Sequence, residues 1–445
     1  MEVLAFIPSF KRLFNSRCDD WVDKINHVYT VMLLLVFAAV VSTAQYVGSP
    51  ISCWIPAELK HDEKYFEKYI HNYCWIKNTY YIPMFDVIPT NIKEREEEEI
   101  TYYQWVPIYL LLQAFLFKLP NILWKMLHEG SGLNVDKLIK NAQISQHASP
   151  QDRTNAYEGL IMMINKWIRV SQPYHNSRFS RFKDTLSRML CFVCYKRRGN
   201  FLTGLYLTMK LLYLVNVVAQ LFFLNDFIAN DSSRMFGLEW LQSFKTMTVD
   251  EESPRFPRIT LCDFDIRQMA NIQRYTVQCV LPINLFNEKV YLFLWFWFVM
   301  VAFLTFYNLL KWIYLIVVKR NNYAYVKKYL KISGKPLQPS DKIVCKKFAE
   351  HYLRDDGCFA TRMISINTSD LVVTDMISSM FLEFRESEYP NVSENREEPI
   401  ISDDDRKMNA APNLNHNPHH PGATGNPSDD VINRRNRFNR QNSIR

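Results

Sequence analysis

With 11 glycines in 445 residues, the sequence has no glycine-rich phosphate loop, and it carries no nucleophile motif and no cluster of metal-ligating side chains. The first absence argues against nucleotide hydrolysis, the second against covalent catalysis, the third against a zinc-built fold. Cys191-Phe192-Val193-Cys194 is the nearest approach to a metal motif, and a zinc site would need a second pair that the chain does not supply. No cleavable signal peptide is expected either, because the first apolar run begins after 27 mixed, charged residues. No catalytic residue, cofactor or metal is therefore expected.

Long apolar runs, in contrast, are abundant. They occupy residues 28–47, 104–124, 202–224 and 289–318, each close to the roughly 20 apolar residues that a helix needs to cross a bilayer. Nothing in hydrocarbon hydrogen-bonds a bare backbone, so such runs read as spanning helices. The first run has no charge. The second and third carry Lys118 and Lys210; the fourth has Lys289 at its first position and Lys311 near its end, and contains the aromatic block Trp295-Phe296-Trp297-Phe298. Lys118 and Lys311 sit near span ends, where long side chains snorkel. Lys210 lies deeper, and facing a pore, facing a neighbouring helix and snorkelling to the inner surface are all open to it. Asn216 and Gln220 in the same span suit interhelical hydrogen bonds better than contact with permeating ions.

Charge orients the spans. Residues 125–201 carry 13 Lys/Arg against 5 Asp/Glu, whereas 48–103 carry 6 against 10 and 225–288 carry 6 against 9. The middle loop and both termini are thus expected in the cytoplasm, with the two acidic loops outside. The 20 Lys/Arg of residues 319–445 agree. This distribution explains the net charge of +8 without any nucleic-acid partner. Cysteine placement gives an independent check. Cys53 and Cys74 lie in the first outer loop and Cys262 and Cys279 in the second, while Cys18, Cys191, Cys194, Cys345 and Cys358 fall in cytoplasmic segments. An oxidising exterior favours disulfides among the first four, in any of three connectivities.

Several sequence motifs carry a family resemblance. Tyr102-Tyr103-Gln104-Trp105-Val106-Pro107 opens the second span; Asp19-Asp20-Trp21-Val22-Asp23-Lys24-Ile25-Asn26 precedes the first. Gln45-Tyr46-Val47-Gly48 runs on to Cys53-Trp54-Ile55-Pro56-Ala57, and Tyr73-Cys74-Trp75 follows. Gln278-Cys279-Val280-Leu281-Pro282-Ile283-Asn284 leads into the fourth span, and Glu350-His351-Tyr352-Leu353 with Asp356-Gly357 lies beyond it. Together these resemble the innexins, the invertebrate gap-junction proteins related to vertebrate pannexins, over residues 10 to 385. Tyr102, Tyr103 and Trp105 also suit the water–lipid interface, with Pro107 tolerated in a first helical turn.

The resemblance implies an all-α membrane protein, a four-helix bundle assembled as a ring around a pore, with a cytoplasmic helical dome and a small disulfide-linked extracellular domain. It implies a homo-oligomeric, octameric hemichannel in membrane lipid that docks with the hemichannel of a neighbouring cell, with other innexins as further subunits. Residues 1–27 would form a cytoplasmic pore funnel, bringing Met1, Glu2 and Phe6 to the pore, although the apolar-basic pattern of 1–14 equally suits a membrane-surface helix. Residues 125–201 and 319–385 would build the dome. The resemblance also favours loop-to-loop disulfides, Cys53–Cys279 and Cys74–Cys262.

Glu94, Glu96, Glu97, Glu98 and Glu99 precede the second span; repeated around a ring they would enrich cations at the pore mouth, and as a solvated helix face they would do nothing special. Asn230-Asp231-Ser232 is a glycosylation sequon close to the third span. Residues 386–445 are rich in Asn, Asp and Pro and read as a disordered tail. The expected function is a gap-junction subunit in the plasma membrane that passes ions and small molecules between cells. A non-junctional hemichannel is the near alternative. A four-span adhesion or scaffold protein of tetraspanin or claudin kind is the alternative of another class, which the large loops on the cytoplasmic side disfavour.

Overall fold

The computed structural model describes residues 19–55, 63–146, 150–170, 199–228, 237–238, 240–241, 255–334 and 341–388. Four of its helices are long and apolar enough to cross a membrane: α1 (Trp21–Tyr46), α4 (Val106–Leu127, prolonged to Ser131 by a 3-10 turn), α7 (Phe201–Ile228) and α8 (Pro282–Val317). Each is apolar all round, so none has a water-seeking face. One side of each enters a shared core built from Leu34, Val41, Leu110, Phe117, Val217, Leu224, Tyr291 and Phe298. The other side leaves Val36, Val40, Leu111, Phe115, Val215, Phe222, Phe303 and Phe306 exposed. Apolar exposure on this scale is stable against lipid and not against water.

Two of these helices begin earlier than the apolar runs. Asp20 caps α1 in a reciprocal capping box with Asp23, so helix starts at Trp21, and it passes through a π-helical stretch at Ile25–Tyr29 before continuing as α-helix from Thr30. Pro282 starts α8, where a missing N–H costs nothing. At 36 residues α8 is about 54 Å long, well beyond the roughly 30 Å of a hydrocarbon core. It therefore projects out of the membrane.

At one end of the bundle the inter-span segments fold into a five-stranded antiparallel sheet. The strands are β1 (Ser52–Cys53), β2 (Thr79–Tyr80), β3 (Glu99–Ile100), β4 (Ile259–Gln268) and β5 (Asn271–Val280), in the order β1-β5-β4-β2-β3. Helices α2 (Glu63–Lys77) and α3 (Ile92–Glu97) complete this unit. The all-α expectation is thereby corrected to a mostly helical chain with a sheet. The alternation that drives it is visible in β5, where Thr276 and Gln278 separate buried Val277 and Cys279. A turn at Met269 and Ala270 joins β4 to β5, and Met269 adopts positive φ, 50°.

At the other end, α5 (Val135–Gln146), α6 (Pro150–Val170), α9 (Arg320–Ile332), α10 (Asp341–Lys347, running into a π-helical Phe348–Leu353), α11 (Arg354–Asn367) and α12 (Asp370–Glu388) surround a second core. That core contains Leu138, Ile164, Val326, Phe348, Met363 and Met376 and takes in Met209 and Trp312 from the spans. The two helical groups share one continuous apolar interior there. Gly199, at φ 70°, opens α7 against this assembly: a Cβ at Gly199 would sit 2.8 Å from Arg354 Cδ. The Gly199 carbonyl accepts from the Asp356 N–H at 2.9 Å, and Asp356 returns a cap to the Thr203 N–H and hydroxyl at 2.9 and 2.7 Å. Burial raises the Asp356 carboxyl above its ordinary range.

Candidate functional site

The sheet is assembled from two segments far apart in the chain, and two disulfides bind them. Cys53 is bonded to Cys279 and Cys74 to Cys262, closing sequence separations of 226 and 188 residues. Cys53 stands directly opposite Cys279 in the β1–β5 register, so the first bridge crosses a strand pair. The second ties α2 to β4. All four sulfurs are buried among Ile51, Ile70, Tyr103, Phe264 and Leu281. The Sγ atoms of Cys53, Cys74 and Cys279 lie within 4.8 Å of one another, but disulfide sulfur is not the thiolate that binds a metal.

Beside the bridges, Asp263 collects three partners. Arg95 donates to it at 2.9 Å, the Tyr80 hydroxyl at 2.9 Å and the Thr276 hydroxyl at 2.7 Å. Arg95 also donates to the Pro89 carbonyl, which fixes α3 on the sheet. Burial together with the hydrogen bond to the Asp263 carboxylate pushes the Tyr80 phenol up to about 12. The neighbouring carboxylates behave differently. Glu94, Glu96, Glu97 and Glu98 are exposed; Glu99 is half-buried in β3 and its carboxyl is raised, chiefly by desolvation.

The Tyr102–Pro107 segment lies where this sheet meets the spans. Tyr102, Tyr103 and Gln104 form one 3-10 turn ahead of α4. Tyr103 is fully buried, its ring 4.9 Å from that of Trp75, and its carbonyl accepts from Gln45 at the end of α1 at 2.8 Å. Tyr102 donates to the Arg255 carbonyl at 2.8 Å, and Gln104 donates to the Trp75 carbonyl and to Asn78. Val106 and Pro107 are buried in the first turn of α4. Of the three rings expected at the water–lipid interface, Trp105 is 59% exposed, whereas Tyr103 is buried and Tyr102 half-buried in protein. The two tyrosine rings join the disulfide-bonded sheet to α1 and α4, and burial drives the Tyr102 and Tyr103 phenols up.

A second polar cluster lies inside the bundle at its other end. Lys210 is 1% exposed and donates to Asp23 at 2.7 Å and to Asp20 at 3.4 Å. Tyr206 donates to Asp23 at 3.0 Å and Trp312 to Asp20 at 2.8 Å. Asp19 meets His27 Nε2, and Lys118 Nζ lies 3.2 Å from His27 Nδ1. An ammonium offers only donors, which makes Nδ1 the acceptor and leaves Nε2–H to donate to Asp19. The first two turns of α1 are thus pinned by α4, α7 and α8 together. Of the roles open to Lys210, pairing with a neighbouring helix is the one the geometry takes, because an unpaired cation at this depth would be costly. Lys118 is likewise buried rather than snorkelling, while Lys311 is exposed.

With the first span beginning at residue 28, where the apolar run begins, no acidic residue or histidine falls within the spans. The missed signal was arithmetic: two intramembrane lysines need counter-charges, and Asp19, Asp20 and Asp23 stand one to two turns upstream. Gln220 is buried, and among the described residues neither end of its amide has a hydrogen-bond partner; the Asn216 amide nitrogen also has none. The expected interhelical bonds of these two are thus not made within the described part of one chain. Met1, Glu2, Phe6, Cys18, Cys191, Cys194, Asn230 and residues 389–445 lie outside the described residues, whereas 386–388, expected to open the tail, form the end of α12.

A model of the Innexin family matches residues 19–384. The chain is 39% identical over 364 residues to "Innexin unc-9" of Caenorhabditis elegans, covering 82% of this chain and 91% of that protein. It is 37% identical over 381 residues to "Innexin-3" of the same organism, covering 85% and 86%. It is also 36% identical over 404 residues to "Innexin-19" of Caenorhabditis briggsae, covering 85% and 89%. The matched region runs from the acidic start of α1 through both disulfides to the last described helix, and on that extent the chain belongs to the innexin family.

Proposed function

We propose that this chain is a subunit of a gap-junction channel that passes ions and small molecules between adjacent cells. The four apolar helices bundle in the plasma membrane, and copies surround a pore, eight to a hemichannel, together with other innexin subunits where these are present. The disulfide-bonded sheet faces outside and meets the same unit of a hemichannel on the neighbouring cell. The helices α5, α6 and α9 to α12 form a dome on the cytoplasmic side, with both termini on that side and residues 1–27 at the pore mouth.

The observation that carries this reading is the composite sheet: two segments separated by two spans are locked into one rigid unit, within a chain of this family. A docking surface must hold its shape without a partner, and two buried disulfides give that stiffness. The acidic residues from Glu94 to Glu99 supply a negative field beside it. Electrical recording between paired cells that both express the chain tests the reading, and junctional conductance is the expected result. If conductance is absent while single cells take up dye, the protein works as a non-junctional hemichannel; if neither occurs, the four-span scaffold reading replaces it.

A further inference from the structure

The α9 helix follows α8 after a sharp elbow: Val318 leaves helical geometry, with ψ 92°, and Lys319 starts the next helix. Arg362 locks this elbow by donating to the Leu315 carbonyl at 3.4 Å, the Asn321 carbonyl at 3.2 Å and Asn322 Oδ1 at 3.1 Å. One face of α9 is buried on the helical core through Asn322, Val326, Tyr329 and Leu330. The opposite face consists of Arg320, Ala324, Lys327, Lys328 and Lys331, all exposed and spaced to lie in one stripe. No acidic residue occurs in the helix. Lys328 reaches Asp370 at 3.6 Å, an exposed pair worth little; among the described residues Arg320, Lys327 and Lys331 form no ion pair.

Two features of this stripe work against the helix by itself. Lys319 and Arg320 stand at its N-terminus, where the macrodipole favours anions, and no side chain caps that end. Lys327, Lys328 and Lys331 repel one another along the same face. Both costs fall when an anion lies along the stripe. The stripe begins three residues after the membrane helix ends, and α9 runs for about 20 Å. The Lys327 and Lys328 ammonium groups lie over the Tyr323 and Tyr329 rings, at 5.9 and 5.0 Å from the ring centroids, which holds both charges on the exposed side of the helix.

We infer that this stripe is a binding surface for anionic phospholipid headgroups of the leaflet at that end of α8. Clustered cations directly after a membrane span attract acidic lipid electrostatically, and the arginine-locked elbow holds this cluster at a fixed attitude to the bilayer. The inference does not depend on docking, on subunit number or on which leaflet is cytoplasmic. It is tested with the full chain in nanodiscs of mixed phosphatidylcholine and phosphatidylserine, containing a photoactivatable form of one lipid or the other. Photoactivatable phosphatidylserine should label the peptide spanning residues 320–331 in preference to phosphatidylcholine. In K327Q/K331Q that preference should fall about fivefold or more, and in K327R/K331R it should persist. Equal labelling by the two lipids, or an unchanged preference in K327Q/K331Q, would overturn the proposal. If K327Q/K331Q fails to assemble on size-exclusion chromatography, high salt applied to the unaltered protein decides: selective labelling that resists it overturns the proposal equally.

Discussion

Lys210 is the residue whose chemistry departs furthest from its sequence context. A lysine nine positions into an apolar run can face a pore, face a neighbouring helix or stretch to an interface, and here it is closed in by Asp20, Asp23 and the Tyr206 ring. Replacing it with methionine should leave the Asp23 charge buried without its counter-ion, at a cost of about 3–5 kcal/mol. The double variant K210M/D23N removes both charges and should be substantially less destabilised than K210M. Thermal unfolding of the detergent-purified proteins measures both, and equal destabilisation of the two variants would refute the pairing. Tyr80 gives a prediction in pH. Its folded pKa is raised to about 12 from an unfolded value of about 10, so the neutral phenol is favoured by folding. That contribution is complete below pH about 10 and is lost as pH rises from about 10 to about 12. Y80F has no such proton to lose, and its stability should therefore fall less steeply across that alkaline interval, as followed by near-ultraviolet circular dichroism.

At the scale of elements, what was legible was whatever periodicity and charge could report. Four uniformly apolar runs marked four helices, because a helix of that length in water keeps a polar face and these have none. The helix starts were harder to read. Asp20 and Asp23 look like the end of a polar segment, but a capping box turns them into the first turn of α1, and their charges are then matched by Lys210 from α7, which no local rule connects to them. The sheet was hidden for a related reason. β1, β2 and β3 are two residues long; β1 and β2 gain their strand character from pairing with β5 and β4, some 180 to 230 positions away, and β3 adds on to β2. Disulfides make that long-range pairing durable. Removing one with C53S should leave β1 attached by the few hydrogen bonds of a two-residue strand, cost about 2–5 kcal/mol, and abolish junctional coupling. The C53S/C279S variant, which has no orphan thiol, should fail in the same way. Normal coupling in that variant would show that this bridge is not required for the shape of the docked surface.

For the whole molecule, the two ends of the bundle differ in chemistry as well as in architecture. Among the described residues, one end holds the disulfide cysteines, in the antiparallel sheet and in α2 beside it; the other holds buried free thiols at Cys345 and Cys358, which desolvation pushes up to about 11 and about 12 and so keeps protonated and inert. Such a division fits a chain whose ends stand in compartments of opposite redox poise, and it agrees with the lysine and arginine excess of residues 125–201 and 319–445. Orientation can be tested with glycosylation as the reporter, since the transferring enzyme acts only on the lumenal, later extracellular, side. The hairpin tip is fully exposed at Met269. Gln273→Thr would complete a sequon at the neighbouring exposed Asn271, with the loss of one surface hydrogen bond from Tyr275. Asn367-Thr368-Ser369 already forms a sequon at the α11–α12 junction, on the other end. Expressed in animal cells, Q273T should gain one glycosidase-sensitive increment in mass over the unaltered chain, and Asn367 should stay unmodified in both. A glycan on Asn367 would invert the molecule, placing the helical end outside and the disulfides in a reducing cytosol where they would not persist.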